Sequence, residues 1–275
     1  MIFHNFQPGS ALQNFVKTYH LRHFEFSAHA KIPLKAFSPR AEQYITFYVR
    51  GGETIQYARN GTTSTKNTTS ITGQNTQMVY RHVTPQFLII QVPFFPGALF
   101  QLTGIPFHEF RDGSVELECI YPNETREVDQ KLQDAISYPQ MIKIVDDFLT
   151  DLFLKKAKIT NRPFDKILPF LCQSHSISGI DRLADQACLS VRQFERLSQN
   201  YFGVGPKTMS RIARFSTSYI MRTKHPEYTW LDVAMACGYE DYQHMVRDYR
   251  DFAGITPNQL WEKDLRAPDR VLGLR

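Results

Sequence analysis

Two periods of hydrophobic residues divide the chain. Up to about residue 125 apolar side chains alternate with polar ones in short runs, as in Ile45-Thr46-Phe47-Tyr48-Val49-Arg50, which Gly51-Gly52 closes. A period of two sends successive side chains to opposite faces of a strand, so this half is predicted as mainly antiparallel β. Asn60-Gly61, between residues 54–59 and a Thr-rich run, signals a hairpin because both tolerate the positive φ of a tight turn. The run itself, residues 62–76, has the β-branched content of a hairpin arm or an exposed edge. Residues 83–107 carry no charge and are long enough to cross a bilayer, yet Pro85, Pro93, Pro96 and Pro106 break any continuous helix. Buried strand and turn are predicted there.

From Glu127 the period lengthens to that of a helix. Val128, Leu132, Ala135 and Ile136 mark one helix; Met141, Ile144, Val145, Phe148, Leu149 and Leu152 mark a second, with Ser137 as its cap and Pro139 in its first turn. A polar stretch, residues 158–163, is the candidate boundary. Beyond it the pattern is helical and it repeats. Phe194-x-Arg196 falls on Met245-x-Arg247, Tyr201 on Phe252, Gly203 on Gly254, Val204 on Ile255 and Pro206 on Pro257, while Leu183-Ala184 falls on Val233-Ala234. One part of this half is a diverged copy of the other.

Each copy reads as a short helix, a tight turn and a second helix. Ala184 and Ala234 allow close helix approach, Gly238 frees one turn, and Ser190 and Asp241 stand where N-caps belong. Gly203 and Gly254 close the second helices, each followed by an apolar residue and a proline that starts the next. The second helices should bury Phe194, Leu197 and Tyr201, and Met245, Tyr249 and Phe252. Their outward faces then carry Arg192, Glu195, Arg196 and Gln199, and Gln243, His244, Arg247 and Arg250. Such side chains match base edges: Arg to guanine, Gln to adenine, Glu to the cytosine amino group. Joined by one helix over residues 207–222, the two can reach successive major grooves of a duplex.

The composition of the 275 residues is globular, with a net charge of +5. The excess sits in neither half as a whole. Residues 190–224 hold seven basic residues against Glu195 alone, whereas residues 225–264 hold three against eight acidic ones. Arg192, Lys207, Arg211 and Arg214 are therefore expected on phosphates, and the first reading helix is expected to anchor more strongly than the second. Cys119, Cys172, Cys188 and Cys237 make neither a disulfide framework nor a zinc spacing, and the first ten residues lack a secretory pattern. A cytoplasmic location is expected. No phosphate-loop, dinucleotide or hydrolase-elbow motif is present. His20, His23, Glu25 and His29 lack the spacing of a metal-binding β-barrel, and no cofactor is expected.

Residues 183–197, the Phe202-Gly-Val-Gly-Pro-Lys that follows, and Val233-Ala-Met-Ala-Cys-Gly-Tyr-Glu-Asp with Phe252-Ala-Gly-Ile-Thr-Pro resemble the double helix-turn-helix of the AraC/XylS transcription regulators. The resemblance covers about residues 165–265. It implies that Arg192, Glu195 and Arg196 read bases from the first helix, and Gln243, His244 and Arg247 from the second. Cys188 stands where the first turn often has glycine, and Ser198 where an aromatic is usual. The β-rich half is similar, through its order of parts and residues 93–106, to the cupin-like sensor domains that precede this unit in many members. The expected fold is α+β in two domains. Residues 1–160 form an antiparallel β-barrel or jelly-roll-like sensor with C-terminal helices, and residues 161–275 a seven-helix DNA-binding domain. The expected partners are double-stranded DNA, a small-molecule effector of unknown identity and RNA polymerase, with no membrane. The resemblance further implies a homodimer through the apolar stripe of residues 139–154. A cupin-like metal-dependent enzyme with a helical scaffold is the alternative.

Overall fold

The computed structural model describes residues 1–27, 32, 34–172 and 179–265. Its N-terminal half carries strands β1 (Ile2–Phe6), β2 (Tyr19–Glu25), β3 (Lys35–Phe37), β4 (Tyr44–Arg50), β5 (Glu53–Tyr57), β6 (Thr63–Lys66), β7 (Ser70–Thr72), β8 (Val79–Val83), β9 (Gln86–Pro93) and β10 (Ser114–Glu116). They form two antiparallel sheets, β1-β2-β9-β4-β7-β10 and β3-β8-β5-β6. The Asn60-Gly61 hairpin is β5–β6, paired from Glu53–Lys66 to Gln56–Thr63. Alternation in β4 decides what faces what. Ile45, Phe47 and Val49 join Leu88, Ile90 and Val92 of β9 in the main core. Tyr48, on the opposite face, donates its hydroxyl to Glu53 Oε1 of the other sheet at 2.7 Å. Glu53 is buried and also takes the Arg81 guanidinium, which lies over the Phe37 ring. A hydrogen-bonded ion pair therefore occupies the space between the sheets, which is how a buried charge is tolerated.

Among the described residues three α-helices complete this half: α1 (Ala98–Thr103), α2 (Pro122–Asp134) and α3 (Tyr138–Lys156). The uncharged segment is strand as expected through β9, but α1 follows where only turn was predicted. It fits between Pro96 and Gly104, and it buries Ala98, Leu99 and Leu102. Ser137 caps α3, accepting from Gln140 N. Met141, Ile142, Val145, Leu149, Leu152 and Phe153 of α3 are buried in the main core, and Phe148 packs edge-on against Phe47. Of the apolar stripe expected to pair two copies, this part is thus buried in the chain's own core, while Ile144 and Phe148 are half-buried and Leu154 is exposed.

Seven helices follow among the described residues: α4 (Pro163–Leu171), α5 (Ile180–Gln186), α6 (Val191–Phe202), α7 (Pro206–Lys224), α8 (Trp230–Ala236), α9 (Tyr242–Ala253) and α10 (Pro257–Leu265). Each copy of the repeat has its own core. Phe164, Leu168, Ala184, Phe194 and Tyr201 gather around α6. Val233, Ala234, Met245, Tyr249 and Phe252 gather around α9, with Ile212 and Phe215 of α7. Met78, from the β-rich half, is buried within this second cluster. No described helix is long and apolar enough to cross a membrane.

Candidate nucleic-acid interface

The two reading helices are built to the same plan. Ser190 Oγ accepts from Gln193 N, and Gln193 Oε1 accepts in return from Ser190 N. Asp241 Oδ1 accepts from His244 N at 2.6 Å. These caps satisfy N–H groups that a helix start leaves free. At the other ends Gly203 (φ 83°) and Gly254 (φ 72°) take the left-handed conformation. The turns between helices also match. Gly238 has φ 73°, and Cys188 takes φ 55° in the first copy, a conformation that disfavours a side chain.

Arg192, Glu195, Arg196 and Gln199 of α6 are exposed, as are Gln243 and Arg247 of α9. Among the described residues no ion pair engages Arg192, Arg196 or Arg247, so these guanidinium groups are free to meet a partner. Lys207, in the first turn of α7, is exposed as well. Phe194 and Tyr201 are buried below, and Leu197 half-buried. Ser198 is fully buried, with no hydrogen-bond partner for its hydroxyl among the described residues. His244 is half-buried: Arg214 contacts its Nε2 at 3.2 Å, and the ring meets Tyr239 edge-on.

Arg211 and Arg214, expected on phosphates, are engaged inside the protein. Asp248 is 1% exposed and accepts from Arg211 Nε at 2.8 Å and from Arg214 Nη2 at 3.3 Å. Asp251 takes Arg211 too. Two of the five cations of α7 therefore pair with the two carboxylates of α9 across the contact between these helices. Asp248 and Asp251 add little repulsion toward DNA, and Asp241 is committed to its cap. Glu240, just before α9, stays exposed. Arg250 stands at the far end of α9 and lines a cleft against the β-rich half, with Arg59 and Arg111. Neither β-half arginine was singled out in the sequence, where each precedes an ordinary turn.

The β-rich half holds the end of each reading helix. Gln43 Nε2 donates to Tyr201 O at 2.9 Å, and Met78 N donates to Phe252 O at 2.8 Å. Tyr201 and Phe252 are equivalent positions of the repeat, so the same carbonyl is capped twice. Arg59 Nη2 adds a bond to Asp251 O at 2.8 Å, and Phe100 of α1 packs on Tyr201 with ring centroids 4.2 Å apart. A Cβ on Gly203 would come within 2.6 Å of Phe107 O.

Of His20, His23, Glu25 and His29, His29 lies outside the described residues. His20 Nδ1 is 2.7 Å from Asn5 Oδ1, and burial together with nearby Arg22 pushes its pKa down to about 4. No cluster of three or more metal-ligating side chains occurs among the described residues.

Two family models match. A helix-turn-helix domain covers residues 183–263, and a domain of unknown function (DUF6597) covers residues 4–116. No curated protein matches the chain at a significant level. Among solved structures, unsaturated fatty acid-bound wild-type ToxT from Vibrio cholerae strain SCE256 is similar at 10% identity, with a TM-score of 0.47 over 92% of this chain and 96% of that one. ToxT from Vibrio cholerae O395 gives 10% identity and a TM-score of 0.44 over 90% and 97%. The AraC-like transcriptional activator CuxR gives 10% and 0.29 over 80% and 82%. Two capped helix-turn-helix units on one linking helix, behind a β-rich half, define a DNA-binding transcription regulator. The helix-turn-helix match falls on the repeated unit found in the sequence, the part that resembles the AraC/XylS regulators.

Proposed function

We propose that the chain binds duplex DNA by placing α6 and α9 in two adjacent major grooves, with the β-rich half acting as an effector-responsive sensor. The observation that carries this reading is the pair of matched helices, each with unpaired Arg, Gln or Glu side chains on its open face. Arg192, Glu195, Arg196 and Gln199 would read one half-site; Gln243, His244 and Arg247 the other, with Lys207 on a phosphate. The functional units divide near residue 160. RNA polymerase and a second copy of the chain are the further partners of this reading.

Selection of DNA fragments by the purified protein, followed by titration of the selected site, tests it. Arg196→Ala and Arg247→Ala should each cost about 1–3 kcal/mol on that site while leaving random DNA bound about as before. Affinity should also fall steeply as salt rises, because phosphate contacts release counterions. Equal binding of selected and random duplexes at physiological salt would overturn the proposal.

A further inference from the structure

The cleft between the β-rich half and the second copy has an unusual balance of charge. Its volume is about 690 Å3, and Arg59, Thr76, Arg111 and Asp112 line one side. Gly205, Thr208 and Arg211 of the α7 start and Arg250 of α9 line the other. Both carboxylates in the lining are already taken. Asp112 accepts from Thr76 N and Thr76 Oγ1, each at 2.6 Å, and Asp251 takes Arg211. Arg59 donates only to the neutral carbonyls of Thr76 and Asp251 and, at 3.5 Å, to the Thr76 hydroxyl. Arg111 and Arg250 are exposed, and their side chains have no ion pair or hydrogen bond among the described residues. Four guanidinium groups and two carboxylates thus share one concave site, an excess of two positive charges, and none of Arg59, Arg111 and Arg250 forms an ion pair with either carboxylate among the described residues. The start of α7 opens into the same space, and no side chain caps it.

We propose that this cleft binds a small polyvalent anion, a metabolite carrying phosphate or several carboxylates, held by Arg59 and Arg111 from one half and Arg250 from the other. Guanidinium groups meet such oxygens in bidentate pairs, and the volume is that of a small-molecule site. A DNA duplex is too broad to enter it. The ligand would bridge the halves beside the bond from Met78 N to Phe252 O, so its arrival acts on the seating of α9. That regulatory consequence rests on the DNA-binding reading above; the anion site itself does not.

Calorimetric titration of the full chain without DNA, using inorganic pyrophosphate and citrate as probes, tests the site. Saturable binding at one site per chain is expected for at least one probe. Arg111→Gln and Arg250→Gln should each weaken it about tenfold, in line with the loss of one charged hydrogen-bonding group. Lys143→Gln, on the surface of α3, should leave it unchanged. Both arginines are exposed and unpaired, so unchanged melting without anion should accompany the loss. Absence of saturation with both probes, or equal binding by the double variant, would overturn the proposal. So would a double variant whose anion-free DNA affinity drops as far as that of Arg247→Ala, since the arginines would then be phosphate contacts of the duplex. A chain that binds anion but shows no sequence preference on DNA would keep the site and remove the regulator reading instead.

Discussion

Cys188 and Gly238 occupy the same place in the two turns, and both have positive φ, at 55° and 73°. A side chain in that region costs of order 1–2 kcal/mol, partly offset by the greater chain entropy that glycine loses on folding. Cys188→Gly should therefore raise stability, by up to about 1 kcal/mol, read as a higher denaturant midpoint at unchanged slope. Gly203 shows the converse. It combines φ 83° with the close approach of Phe107 O, so Gly203→Ala should lower stability by about 1–3 kcal/mol in the same measurement. The turn at Cys188 was legible in the sequence because its copy carries glycine at the matching position. The tightness at Gly203 was not, because Phe107 is remote in sequence and its carbonyl leaves no periodic trace.

Among the elements, the reading helices were the most legible. Ser190, Asp241, Gly203 and Gly254 mark their ends by chemistry local to each position, and the structure places α6 and α9 within two residues of the expected spans. The α7–α9 contact was harder to see. Asp248 falls between Met245 and Phe252 on the buried side of α9, a position where a carboxylate needs partners. Arg211 and Arg214, one turn apart on α7, supply them. Counting charges along the chain hid this, because pairing across helices depends on facing surfaces and not on sequence distance. Asp248→Asn should destabilise the protein by about 3 kcal/mol, since two cations would lose a buried counter-charge. Thermal unfolding of that variant beside Asp251→Asn, whose carboxylate is exposed, separates burial from charge. A comparable loss in both would contradict the account. The short helix α1 escaped the sequence reading because flanking prolines forbid a long helix without forbidding six residues of one.

At the scale of the molecule, the two halves interlock: Met78 enters the core of the second copy, and Gln43 reaches the end of the first. None of this was visible in either half alone. Each half supplies only one partner, and Gln43 and Met78 belong to no motif. The pair of equivalent carbonyls, Tyr201 O and Phe252 O, held from one common scaffold, has a consequence for the nucleic acid. Each added base pair turns a duplex by about 34°, since about 10.5 pairs complete a helical turn. A reader whose two arms cannot swing independently must then make the DNA absorb any mismatch as torsion. Inserting one base pair between half-sites should weaken binding on linear fragments. The same insertion should be partly rescued on closed circles whose superhelical density shifts the local twist back toward the favoured angle, as footprinting on topoisomer series would show. A protein held in this way would sense how tightly its site is wound as well as what the site spells.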